Sequence, residues 1–123
     1  MRIKNRTHYI TRDLKRIMTE CARRASRSGE EKRTRRLIVE IGYAKRYGYS
    51  GYAYYSGTYM MLRIPRDINN FNSKMFARLF YHEYDHILGY RHNEIGGRYI
   101  TSGDYNDEGF DNPEWAVNIR EGI

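Results

Sequence analysis

The chain has 123 residues, 22 Lys and Arg against 15 Asp and Glu, a formal net charge of +7 and a single cysteine. That length suits one domain, 1–123, with one modest core, and the lone Cys21 excludes an internal disulfide and any multi-cysteine zinc cage. No apolar run reaches the roughly 18 residues needed to cross a bilayer, and MRIKNRTHYITRDLKRI has no signal-peptide stretch, so the expectation is a protein that is cytoplasmic or otherwise unexported and has no membrane partner.

Charge is unevenly spread: residues 1–36 hold 13 Lys/Arg against 4 Asp/Glu, and residues 93–123 hold 2 against 7. A basic front is either a footprint for nucleic acid or an acidic protein, or a solvated helix face that keeps the chain soluble.

From Tyr9 to Ser26, apolar Ile10, Leu14, Ile17, Met18, Cys21, Ala22 and Ala25 recur at the spacing of one helical face. This predicts an amphipathic helix capped by Thr7 or Thr11 and stopped near Ser28-Gly29, with Cys21 a core residue. Residues 36–44, RLIVEIGYA, have the β-branched run of a strand. The segment that follows, with Tyr43, carries seven of the 13 tyrosines, and Ser56-Gly57 is a candidate hairpin turn between two further strands, the last ended by Pro65. These tyrosines suit base stacking, a peptide groove, or cross-strand packing in a small sheet. Asn72 or Ser73 can cap a second helix, KMFARLFYHEYDHIL, running to Gly89. Residues 93–112 lack periodicity, and a short closing helix is predicted from Pro113, with Trp115, Ala116 and Ile119 inward.

The chemistry concentrates in HEYDHILGYRH. His82 and His86 are four apart, so on a helix both imidazoles leave one face and can share a cation. Glu83 then sits beside that cation without binding it, where a carboxylate can take a proton from water that zinc has acidified. Gly89 stands where the helix must stop for the chain to turn back, which would bring His92 round as the third ligand and leave a fourth position open.

The string matches HExxHxxGxxH at His82, Glu83, His86, Gly89 and His92, and so resembles the metzincin clan of zinc endopeptidases. The resemblance implies one Zn2+ per chain, held by His82, His86 and His92, with Glu83 as general base. It also implies a minimal zincin-like α+β domain: an N-terminal helix, a small twisted sheet of about three strands, the HExxH helix and a short C-terminal helix. A peptide or protein substrate would bind in extended form along the sheet's edge strand, for which TYMMLRIP is the candidate.

Metzincins carry a methionine-containing turn after the third ligand, whereas the last methionine here is Met75, so the floor of the site must be built differently. No pro-segment cysteine and no extra archaemetzincin cysteines are present. HEYDH is also similar to the peptide deformylase motif, but the EGCLS-type segment those enzymes need is missing, which leaves Asp85 as a surface carboxylate or a partner of a ligating imidazole. Asp104, Asp107, Glu108 and Asp111 are further candidates for such a partner or else loop-surface acids, Tyr99 or Tyr105 could reach an oxyanion or serve in packing, and His8 reads as an exposed or capping residue. The competing reading is a nucleic-acid-binding protein using the basic front and the tyrosines, with zinc structural. A hybrid, a protease recruited to nucleic acid in the manner of SprT-like proteases, also fits.

Overall fold

The computed structural model describes residues 1–26, 31–45, 48–54, 57–94 and 118–122. The elements run β1 (Arg2–Asn5), α1 (Thr11–Ala25), α2 (Glu31–Arg36), β2 (Ile38–Tyr43), β3 (Ser50–Ala53), β4 (Tyr59–Ile64), a 3-10 turn (Ile68–Asn70) and α3 (Ser73–Ile87). This is an α+β fold around one mixed sheet of order β1-β2-β4-β3. β1 pairs parallel with β2 and β2 parallel with β4, whereas β3 pairs antiparallel with β4.

The α1 periodicity is borne out: Leu14, Ile17, Met18, Cys21, Ala22 and Ala25 are all buried, and Cys21 is a core residue. Its start differs from expectation. Ile10 occupies the cap position without a side-chain bond, because Thr7 and Thr11 are both engaged by Asn5: the Thr7 hydroxyl donates to Asn5 Oδ1 at 2.6 Å, and Asn5 Nδ2 donates to Thr11 Oγ1 at 3.0 Å. The helix ends at Ala25, before the Ser28-Gly29 stop, which lies outside the described residues.

Among the described residues four strands form where about three were expected. The additional one, β1, has the sequence RIKN with a single apolar residue, so hydropathy carries no signal for it. Backbone bonds hold it, Arg2 N to Leu37 O at 2.8 Å and Arg6 N to Ile41 O at 2.9 Å flanking the paired stretch. The edge-strand assignment is also corrected. TYMMLRIP forms β4, which is internal, between β2 and β3, and the edge beside α3 is β3. The physical reason is apolar content: Met60, Leu62 and Ile64 are fully buried, as suits a central strand, whereas the short SGYA of β3 tolerates an edge. The predicted hairpin is present as β3–β4, and β4 stops before Pro65.

One core joins the helices to the sheet, with Leu14, Ile17, Met18, Val39, Ile41, Met60, Leu62, Phe76 and Phe80 at its centre. Tyr84 reaches across it from α3. Its hydroxyl shares hydrogen bonds with Ser26 Oγ at 2.8 Å and Thr34 Oγ1 at 2.5 Å, tying α3 to the end of α1 and to α2. Residues 118–122 lie against the start of α1 through the bridge Tyr9–Glu121, and Arg120 grips the buried Asp13. Of the predicted closing helix, Pro113, Trp115 and Ala116 lie outside the described residues, while Ile119 is buried in the core. No helix among the described residues is long and apolar enough to cross a membrane.

Candidate metal centre

α3 begins where Asn72 accepts a hydrogen bond from Met75 N at 2.9 Å, an N-cap that sets the rotation of the whole helix. Phe76, Ala77, Leu79, Phe80, Tyr84 and Ile87 then turn inward, which directs His82 and His86 towards the β3 side of the helix.

The C-terminus is closed by two bonds from beyond the helix. Gly89 N donates to His86 O at 3.0 Å and Tyr90 N to Asp85 O at 2.9 Å, around Gly89 at φ 97°. This is the Schellman arrangement, and its left-handed residue costs glycine no Cβ clash. The reversal brings His92 back against the helix. His86 Nε2 lies 3.3 Å from His82 Nε2 and 3.2 Å from His92 Nε2.

The fit to a cation can be tested on these distances. Zinc–nitrogen bonds of about 2.0–2.1 Å at tetrahedral angles put ligand atoms about 3.3–3.4 Å apart. The two separations from His86, 3.3 and 3.2 Å, are close to that value, and all three ligand atoms lie within 4.8 Å of one another. His86 Nδ1 is 2.9 Å from the Tyr90 carbonyl, which can only accept, so the neutral ring carries its proton on Nδ1 and its lone pair on Nε2. Burial, and then the neighbouring imidazoles, hold the His82 pKa below its ordinary value, favouring the neutral form that ligates. Three imidazoles converging in this way are a donor set for a divalent transition metal, and the described residues could hold one there.

Glu83 points to the same region without joining the cluster. It is buried beside β3, and burial pushes its carboxyl up to about 7. Gly51 makes room for it: a Cβ at that position would stand 3.1 Å from Glu83 Cγ, 3.3 Å from Leu79 Cδ1 and 2.9 Å from the Met61 carbonyl oxygen. A cleft of about 540 Å³ opens over the histidines, lined by Gly51, Tyr52, Ala53, Glu83 and Arg91 as well as the triad. A second hollow, walled by Tyr49, Ser50 and Arg78, continues past Gly51, His82 and Glu83 along the edge strand.

The structure therefore brings together His82, Glu83, His86 and His92. Asp85 is fully buried, which corrects its reading as a surface carboxylate. His8 is away from this cluster: its Nδ1 meets the Tyr43 hydroxyl and its Nε2 lies 2.8 Å from Glu121. Tyr99, Tyr105, Asp104, Asp107, Glu108 and Asp111 lie outside the described residues.

Two contributors escaped the sequence reading. The Tyr90 carbonyl, rather than a carboxylate, orients His86, and a backbone acceptor leaves no residue-type signal. Gly51 was legible in principle, since an isolated glycine inside a strand marks a close approach of another group. Comparison with protein-family models, with curated proteins and with solved structures yielded no match to this chain.

Proposed function

We propose that the chain is a zinc-dependent endopeptidase of minimal zincin-like form, with His82, His86 and His92 as metal ligands and Glu83 as general base. The observation that carries this reading is the convergence of the His82 and His92 Nε2 atoms on His86 Nε2, at 3.3 and 3.2 Å, with the lone pair of His86 fixed by its bond to Tyr90. A zinc ion held by these imidazoles would supply Lewis acidity to a bound water and to a peptide carbonyl. Glu83 takes the proton that the attacking water loses and returns it to the leaving amine nitrogen, which suits a carboxylate beside the ligand set and outside it. Its burial against Gly51 keeps bulk water from competing for that proton.

The edge position of β3 among the described strands supports binding of an extended peptide, whose backbone would pair with Ser50–Ala53 along the cleft. The test is zinc content together with casein cleavage for wild type and Glu83→Gln. One zinc per chain in both proteins, with cutting only in wild type, is expected. Zinc in both with cutting in neither would reject the peptidase, and absence of zinc from both would reject the metal centre.

A further inference from the structure

The two faces of the sheet differ in chemistry. In the paired register, Val39, Ile41, Met60, Leu62 and Ile64 share the face covered by the helices, and all five are fully buried. The alternate positions form the opposite face, in rows that run Arg2–Ile38–Tyr59, then Lys4–Glu40–Met61–Tyr52, then Gly42–Arg63–Ser50. A strand's side chains alternate, so these residues stand on the sheet face opposite the helices, with Tyr52, on the edge strand, also bordering the cleft.

That face combines flat aromatic area with positive charge. Tyr52 and Tyr54 are 47% and 62% exposed, and both rings flank Tyr59, with centroids at 6.2 and 5.2 Å. Burial, and then the Tyr52 and Glu40 side chains beside it, push the Tyr59 pKa above its ordinary value. Among the residues in these rows the cations are Arg2, Lys4 and Arg63, and the one acid, Glu40, already faces Lys4 at 3.9 Å. The uneven sign matches the chain's charge of +7 and fits a polyanion.

We propose that this sheet face binds single-stranded nucleic acid, with bases stacking on Tyr52 and Tyr54 and phosphates meeting Arg63, Lys4 and Arg2. An acidic protein would use the cations but has no need of two uncharged exposed rings, whereas every base presents a flat face to them. A duplex keeps its bases stacked on one another and could not use the rings. The surface is formed by strands on the far side of the sheet from α1, so it is distinct from the exposed basic residues Arg12 and Lys15 of that helix.

The experiment is fluorescence anisotropy of the full chain with labelled oligodeoxythymidylate and oligouridylate, with zinc and with EDTA, across a salt series. Both strands should bind in either condition, with a log–log salt slope of about −2, from roughly 0.7 per neutralised phosphate for three cations. A tighter oligouridylate would assign the natural ligand to RNA, and a tighter oligodeoxythymidylate to DNA. Tyr52→Ala should weaken binding roughly tenfold or more, Tyr52→Phe should retain it, and Arg63→Gln should flatten the slope by about 0.7. The exposed Tyr52 can be replaced without opening the core, which a melting curve checks. Failure to bind at low salt, equal binding of polyglutamate, indifference to Tyr52→Ala, or a dependence on Arg12 and Lys15 instead would overturn the proposal. None of these outcomes depends on peptide cleavage.

Discussion

His86 donates its Nδ1 proton to the Tyr90 carbonyl at 2.9 Å, so a backbone atom four residues downstream decides which nitrogen of the ring is free. That carbonyl is where it is because Gly89 turns the chain at φ 97°. Gly89→Ala should therefore cost about 1–2 kcal/mol from the left-handed conformation alone and lower zinc affinity roughly tenfold by loosening the His86 ring. Gly89→Asn should be milder, because asparagine tolerates this region. Chelator competition and thermal melting of the two variants check both effects, and unchanged affinity in Gly89→Ala would contradict the role given to the turn.

Ligand and base should separate cleanly. His92→Ala removes one of three donors and should reduce zinc affinity far more than Gly89→Ala does, while Glu83→Gln should leave zinc stoichiometry intact and lower cleavage by about 10²–10⁴-fold. Zinc titration and casein assays on the same preparations distinguish the two, and loss of zinc from Glu83→Gln would place that carboxylate among the ligands.

Gly51 admits Glu83 into the wall of the cleft. An added Cβ would meet the Met61 carbonyl at 2.9 Å, and a backbone atom cannot swing aside as a flexible side chain can. Gly51→Ala should destabilise the fold by about 1–3 kcal/mol and reduce kcat with little change in bound zinc. Denaturant unfolding and steady-state kinetics on the zinc-loaded variant provide the check; wild-type kcat would show that Glu83 does not depend on this space.

Asp13 and Arg120 clasp residues 118–122 to the start of α1. Arg120 donates to the buried Asp13 carboxylate from its backbone N at 3.0 Å, from Nε at 2.9 Å and from Nη2 at 2.8 Å. These side-chain bonds hold the Asp13 pKa below the usual carboxylate range against its own burial. Because the folded pKa lies below the unfolded value of about 3.9, the stabilisation is present above pH 4 and is lost as pH falls through the folded pKa. Asp13→Asn should cost about 1–3 kcal/mol near neutrality and flatten the acid limb of the stability curve. Urea unfolding of both proteins between neutrality and acid pH measures this.

Local patterns carried much of the fold. The α1 stripe, the β2 run, the antiparallel pairing of β3 with β4, the Asn72 cap and the break at Gly89 were all readable, because each depends on neighbours a few residues apart. So were His82, His86 and His92 as a cluster, since helical spacing and one glycine turn suffice to bring them together. Only the tertiary structure decided that RIKN is a strand, because its partner is β2 and its own side chains are mostly polar. The edge position of β3 had the same origin. The strand joins the sheet through β4 alone, and burial on α3, set by long-range packing, reserves the interior place for the more apolar β4. The same long-range packing presses Gly51 against Glu83 and gathers Tyr52, Tyr59, Lys4 and Arg63 from separate strands onto one face. Periodicity tells which residues share a face of one element; which elements then share that face is settled by pairing between residues far apart in the chain.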